Sequence, residues 1–212
     1  LAAVSSNVAL INLVINVVIG LSIGTNVVMS QAIGSRNENK AQNTVHTSVL
    51  LALISGTAVG LIGVFCAKYF LVWMKTDPEI LDKATDYLFI YFIGTPANVL
   101  YNFGASILRA KGDTKRPLIY LTIAGIVNVA LNLLFVIVIK LDVKGVAIAT
   151  IVSQYISCIL LVITLMREQG YCKLILKKLR FHKREFADIV KVGLPSGILN
   201  SFFSIANVLI QT

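Results

Sequence analysis

Pairs of amide and hydroxyl side chains, spaced four residues apart, interrupt long apolar segments of this 212-residue chain. Asn128 and Asn132 form one pair, and Thr150 and Gln154 form another. Residues four apart lie on one face of a helix, so each pair presents its polar atoms in the same direction. Amide and hydroxyl oxygens can coordinate a cation or bind a polar ligand, but they do not exchange protons near neutral pH. This pattern therefore favours binding over acid–base catalysis.

Four further amides extend the pattern to other segments: Asn98, Asn102, Asn200 and Asn207. A single amide pair can simply join two helices, because interhelical hydrogen bonds in membranes contribute about 0.6 kcal/mol each. Several segments that each carry one polar face are better explained by a shared, water-accessible cavity. We therefore predict that these four amides line a cavity, and that the two pairs above line it or bind a cation.

Pro96 lies in the same segment as Asn98 and removes one backbone hydrogen bond from a helix. The resulting kink predicts either a hinge that moves during function or a fixed bend used for packing. Pro96 is therefore the candidate hinge of the chain.

The apolar segments contain no Asp or Glu, the residues that usually mark a proton relay or an ion site inside a membrane. The sequence also offers no paired carboxylates, no histidine cluster and no nucleophile with an adjacent base. We therefore predict that the chain is not an enzyme and has no catalytic residue, no resident metal and no cofactor.

The elements that must position these side chains are six runs without Asp, Glu, Lys or Arg: 1–35, 41–67, 87–108, 117–139, 145–166 and 192–212. A bilayer core about 30 Å thick is crossed by about 20 helical residues, so each run is long enough to span it. Membrane strands would alternate in polarity, which these runs do not. The chain is 57% hydrophobic with a mean hydropathy of +0.83. We predict an all-α, polytopic transmembrane helix bundle with about six spans.

The distribution of basic residues predicts how the bundle lies in the membrane. The formal net charge is +9, and most Lys and Arg lie in the first, third and fifth connections. Cytoplasmic connections carry this excess, so residues 34–43, 109–117 and 167–191 are predicted to be cytoplasmic. Residues 68–86 and 140–144 are predicted to be extracellular or periplasmic. We expect a multi-pass protein of the plasma membrane whose partner is the lipid bilayer and not nucleic acid.

The same pattern divides the chain into three parts. Residues 1–166 are predicted to form one transmembrane bundle, 167–191 a basic, amphipathic cytoplasmic linker, and 192–212 the start of a second bundle. The sequence has no initiator Met and stops in apolar residues. We therefore expect it to be part of a longer polypeptide with a further span upstream.

Several segments resemble the multidrug and toxic compound extrusion (MATE) family. They are GTNVVMSQAIG at 24–34, ASILRAKGDTKRP at 105–117, NVALN at 128–132, GVAIATIVSQ at 145–154 and KVGLPSGILNSFFSIANVLIQ at 191–211. Members have twelve helices in two six-helix lobes, with a long cytoplasmic connection between them. The resemblance places the chain from the second helix into the seventh, so the remaining half of the same polypeptide would be its partner.

The resemblance also implies a function and a site. Members export organic cations and drugs in exchange for sodium ions or protons, so the coupling ion replaces any cofactor. In the branch similar to DNA-damage-inducible F proteins, the fifth helix offers Asn and, four residues later, Asp to a cation, with a Thr of the sixth helix nearby. The matching positions are Asn128, Asn132 and Thr150. Asn132 departs from that branch because it lacks the carboxylate, which argues against direct proton binding there.

Two alternatives remain open from the sequence. A related lipid-linked-saccharide flippase would share the architecture but should carry charged residues in a central groove. A non-transporting membrane scaffold would bond its amides from helix to helix and leave no connected cavity.

Overall fold

The computed structural model describes residues 2–73 and 78–210, with side chains over 16–73, 80–141 and 143–202. Six α-helices follow one another: α1 Ala2–Gly34, α2 Glu38–Trp73, α3 Pro78–Ala110, α4 Lys115–Leu133, α5 Asp142–Arg167 and α6 Lys183–Ile210. A π-helical turn, Leu134–Val138, continues α4. Two short 3-10 turns, Gly170–Cys172 and Leu176–Lys178, lie between α5 and α6.

The all-α, polytopic architecture predicted from the sequence is confirmed. Residues 16–34, 38–73, 115–138 and 143–167 are each long and apolar enough to cross a membrane. The predicted spans in α3 and α6 do not meet that criterion within the described side chains. α3 is more polar, because Asn98 and Asn102 interrupt its apolar stretch. α6 begins with a charged segment, and its side chains are described only to residue 202.

The helices pack around two buried clusters, with α1, α3 and α5 parallel to one another and antiparallel to α2, α4 and α6. α1 packs most extensively against α6, α2 against α3, and α5 against both α3 and α4. One cluster contains Met29, Val45, Ile107, Leu161 and Leu165, and therefore joins the end of α1, α3 and α5 to the start of α2. This is the end of the bundle that carries most of the Lys and Arg residues, and we call it the basic end. The sequence predicts that it faces the cytoplasm.

Short turns at the basic end are closed by side chains that cap the next helix. Asn37 Oδ1 accepts a hydrogen bond from the backbone N–H of Lys40 at 2.9 Å, at the start of α2. Asp113 Oδ1 accepts one from the N–H of Arg116 at 3.1 Å, at the start of α4. Such caps satisfy backbone donors that a helix leaves unpaired. Gly112 allows the second turn because its φ of 91° is strained for any other residue.

The 109–117 segment is held to the end of α5 by ion pairs with Glu168. Lys111 Nζ lies 2.7 Å from Glu168 Oε2, and Arg116 Nη1 lies 3.1 Å from Oε1. Burial alone would raise the pKa of Glu168, but hydrogen bonds and charges from Lys111 and Arg116 outweigh burial and lower it. Glu168 therefore stays ionised and clamps the α3–α4 turn to α5.

Glycines allow α1 and α6 to approach closely where they cross. A Cβ atom added to Gly20 would lie 2.4 Å from the backbone nitrogen of Gly197, and one added to Gly24 would lie 2.4 Å from the carbonyl oxygen of Ile189. Gly193 likewise faces the backbone of α1. The crossing therefore depends on small residues on both helices, as in close helix pairs of membranes.

The α1–α6 crossing predicts a large difference between two glycine-to-alanine variants of the complete protein. Gly24→Ala should lower its thermal stability in detergent, because the new methyl group forces the two backbones apart at a cost of about 1–3 kcal/mol. Gly125→Ala on α4 is the control, since no atom lies within 4 Å of its added Cβ. Equal melting temperatures for the two variants would show that the crossing is not tight.

Candidate cation site and cavities

Three of the predicted site residues meet at the interface of α4 and α5. Asn132 Nδ2 donates a hydrogen bond to Asn128 Oδ1 at 3.0 Å. Asn128 Nδ2 lies 3.5 Å from Thr150 Oγ1 and 3.4 Å from Ser153 Oγ, which are long contacts. We call Asn128, Asn132, Thr150 and Ser153 the amide cluster. All four members are uncharged.

The two hydroxyls of the amide cluster present lone pairs towards α4. Thr150 Oγ1 donates its proton to the carbonyl oxygen of Val146 at 2.9 Å, and Ser153 Oγ donates to that of Thr150 at 2.8 Å. A hydroxyl has one proton to donate, so both oxygens are left as acceptors for groups outside α5.

Asn132 Oδ1 is the unusual atom of the cluster. It is buried and accepts no hydrogen bond from the described residues. Leaving a buried acceptor unpaired costs about 1–3 kcal/mol, so such atoms are rare and call for an explanation. A cation that binds carbonyl and hydroxyl oxygens would supply the missing partner. The amide cluster therefore has the chemistry of a site for a hard monovalent cation.

Gln154 lies with the amides of α3 instead of the amide cluster. Asn98, Asn102 and Gln154 line two cavities, of about 180 and 520 Å³. Asn102 Nδ2 donates to Asn98 Oδ1 at 2.8 Å, which fixes one amide against the other. The three residues thus form a polar layer shared by both cavities.

The two cavities that share this layer have different lining residues. The smaller one lies between α1, α2, α3 and α5 and is lined by the aromatic rings of Tyr91 and Phe92. The larger one lies between α3, α4 and α5 and reaches Arg109 and Lys115 at the basic end. A single common cavity was predicted, but the structure separates the α3–α5 polar layer from the amide cluster because α4 turns its amides directly onto α5.

The one predicted α6 amide within the described side chains, Asn200, does not join either group. Asn200 is half-buried and lines neither cavity. Asn207 lies outside the described side chains. Pro195 lies inside α6, because the helix already begins at Lys183.

Pro96 lies in α3 between α2 and α5. A Cβ added to Gly56 would lie 2.9 Å from Pro96 Cα. Because Pro96 has no backbone N–H, the carbonyl oxygen of Phe92, four residues earlier, loses its helical hydrogen bond. A Cβ added to Gly60 would lie 3.0 Å from that oxygen. The Tyr155 hydroxyl donates to the neighbouring carbonyl of Ile93 at 3.2 Å. The segment around Pro96 is therefore packed between α2 and α5.

Ser153 was missed by the sequence reasoning, although a signal for it exists. It lies three residues after Thr150, and residues three apart share a helix face as residues four apart do. The pattern that selected the i, i+4 pairs was therefore too narrow.

Comparison with known proteins decides the family. The MatE family model matches residues 1–134. The chain belongs to the MatE family. It is 30% identical to the probable multidrug resistance protein YpnP of Bacillus subtilis, over 93% of this chain and 43% of that protein. It is 24% identical to the FAD transporter of Shewanella oneidensis, over 100% of this chain and 48% of that one.

The MatE fold agrees with the solved structures. A crystal structure of MATE in the bent conformation matches with a TM-score of 0.86 and 26% identity, over 92% of this chain and 44% of that one. The resemblance to the MATE family seen in the sequence is thus confirmed. The chain is part of an integral membrane protein and belongs to a family of transporters. It spans less than half the length of the relatives it matches.

The polar layer predicts which positions on α5 contact water. Gln154 lines both cavities, whereas Val152, on the same helix, is 38% exposed and lines neither of them. Each cysteine is introduced singly into the complete protein after its native cysteines are removed. The thiol of Gln154→Cys should react with a charged, water-soluble thiol reagent on the order of tenfold faster than that of Val152→Cys, because only a hydrated thiol ionises readily. Equal rates would mean that the amides are dry, as a scaffold requires.

Proposed function

We propose that this chain belongs to the amino-terminal half of a sodium-coupled antiporter that exports drugs or other organic molecules across the plasma membrane. Membership of the MatE family supports transport. The observation that carries the coupling ion is the buried Asn132 Oδ1, which accepts no hydrogen bond from the described residues. Its side chain bonds Asn128, whose own amide contacts the hydroxyl oxygens of Thr150 and Ser153.

The chemistry of the amide cluster favours sodium over a proton. An amide does not take up a proton near neutral pH, and the cluster contains no carboxylate. A sodium ion needs only oxygen ligands, and Asn132, Thr150 and Ser153 carry three. The two hydroxyl oxygens make only long contacts with Asn128 Nδ2, at 3.5 and 3.4 Å, which the ion would replace. A neutral set of ligands also holds a cation less tightly than a carboxylate does, so the ion can leave once the site opens to the other side.

The arrangement on α5 connects ion binding with substrate binding. Thr150 and Gln154 lie one helical turn apart, so one helix contributes to both the amide cluster and the polar layer. An ion that draws α4 and α5 together would shift the position of Gln154 in the cavities. Coupling between two sites requires an element that both ligands bias, and α5 is that element here.

The smaller cavity supports an organic substrate with an aromatic or apolar body. Its lining combines Tyr91 and Phe92 with amides and carries no charge. Aromatic and apolar walls with a few polar groups are typical of small-molecule sites.

The larger cavity supports a second candidate, an anionic substrate such as a lipid-linked saccharide. Arg109 and Lys115 line its wide end, and no acidic side chain lines it. The similarity to an FAD transporter adds weight to this candidate, since FAD carries phosphates.

Transport by the complete protein in proteoliposomes tests the proposal. Efflux of a cationic dye should be driven by an inward sodium gradient. Thr150→Ala should raise the sodium concentration for half-maximal efflux about tenfold, because one oxygen ligand is lost. Thr122→Ala is a matched control, because the Thr122 hydroxyl also donates to a carbonyl of its own helix, that of Leu118 at 3.0 Å. Thr122 is exposed on α4 and lies outside the amide cluster.

Two results would count against this proposal. Efflux driven by a proton gradient alone, with Thr150→Ala unchanged, would show that the amide cluster does not bind the coupling ion. Movement of an anionic lipid-linked saccharide instead of the dye, abolished by Arg109→Gln, would establish the second candidate.

A further inference from the structure

A third cavity, of about 580 Å³, lies at the basic end and takes no part in the proposed transport cycle. It is formed between the start of α2 and the segment that precedes α6. Its lining includes Asn43, His46, Lys177, Lys178, Arg180 and His182. We call it the basic pocket.

The charge of the basic pocket is not balanced by its own lining. Lys177, Lys178 and Arg180 line it, and no acidic side chain does. Within residues 16–73, 80–141 and 143–202, none of these three cations forms an ion pair with a carboxylate. Cations held close together repel one another, so a bound anion would stabilise the pocket.

Two carboxylates of α6, which follows the pocket residues in the chain, are already engaged by other groups. Glu185 is buried, and its Oε1 accepts a hydrogen bond from Asn43 Nδ2 at 3.3 Å. Asp188 pairs with Lys40 Nζ at 2.9 Å. Neither lines the pocket, so the three cations remain available to an external anion.

The walls of the basic pocket are fixed by hydrogen bonds to α2. His46 is only 3% exposed, and its Nε2 accepts the backbone N–H of Ile175 at 3.3 Å. Thr47 Oγ1 accepts the backbone N–H of His182 at 3.2 Å. The segment between them is therefore anchored, which distinguishes it from a loose, solvated basic linker.

Two buried side chains strengthen this anchor. Cys172 and Leu174 are 1% and 2% exposed and pack into the cluster at the basic end. The sequence predicts an amphipathic linker over 167–191. In the structure only residues 168–182 follow an irregular path with two 3-10 turns, because α6 already begins at Lys183. A preformed pocket binds its ligand without the entropy loss of ordering a flexible segment.

Apolar side chains beside the cations indicate where the anion comes from. Leu176 and Phe181 flank the basic residues and are 52% and 42% exposed. Exposed apolar side chains next to Lys and Arg are typical of segments that lie in the headgroup region of a membrane. We propose that the basic pocket binds the phosphate group of an anionic phospholipid in the cytoplasmic leaflet.

Binding of short-chain phosphatidic acid to the complete protein in detergent, measured by native mass spectrometry, tests the basic pocket. The triple variant Lys177→Gln, Lys178→Gln, Arg180→Gln should bind on the order of a hundredfold more weakly, because each cation near a lipid headgroup contributes about fivefold. Short-chain phosphatidylcholine should bind weakly to wild type and variant alike.

A second triple variant provides the matched control. Lys173→Gln, Lys183→Gln, Arg184→Gln removes the same charge from exposed positions that do not line the pocket. It should keep binding within about threefold of wild type, since charges outside the contact region are partly screened. Equal losses in both triples, or no loss in either, would overturn the proposal.

The source of the phosphate is tested in the same experiment. Inorganic phosphate at the concentration of the lipid probe should fail to displace the lipid, and displacement would show that the pocket binds a soluble phosphate instead. If the triple variant of the pocket residues does not fold, the single variants Lys178→Gln and Lys183→Gln make the same comparison. Lys178→Gln should then bind the lipid about fivefold more weakly than Lys183→Gln. Because this test measures lipid binding alone, its outcome is separate from that of the transport assay.

Discussion

A polar atom inside a bilayer has to find its partner within the protein, because lipid offers none. Polar groups of the described helices follow that constraint by bonding other helices. Thr25 and Ser48 bond each other between α1 and α2 at 3.2 Å, and Asn26 Nδ2 donates to the carbonyl oxygen of Ser106 on α3 at 2.9 Å. Against this background, the unpaired Asn132 Oδ1 stands out. The proposed sodium ion would supply its missing partner.

The same constraint links the helix crossings to the cavities. Gly56 and Gly60 allow α2 to pack closely against α3 around Pro96, so the freed carbonyl is covered by protein instead of lipid. Pro96 lies two residues before Asn98, at the polar layer that both cavities share. The close packing of α2 against α3 therefore coexists with the polar layer two residues further along α3.

Much of the architecture could be predicted from the sequence, because charge-free runs and the bias of Lys and Arg act at the scale of single helices. The pairing of Asn128 with Thr150 came from a family resemblance, and no periodicity could show that α4 faces α5. The clamp at Glu168 and the contact of His46 with Ile175 join residues more than 50 positions apart. Such contacts depend on tertiary packing, which single-segment patterns do not contain.

The central claim is that Asn132 Oδ1 and Thr150 Oγ1 are ligands of a transported sodium ion. It is tested most directly by high-resolution structures of the complete protein in sodium chloride and in choline chloride. The account predicts a cation bound to both oxygens in sodium and none in choline. It would be contradicted if Asn132 Oδ1 accepted a hydrogen bond from a protein donor in both salts, with no cation beside it in either.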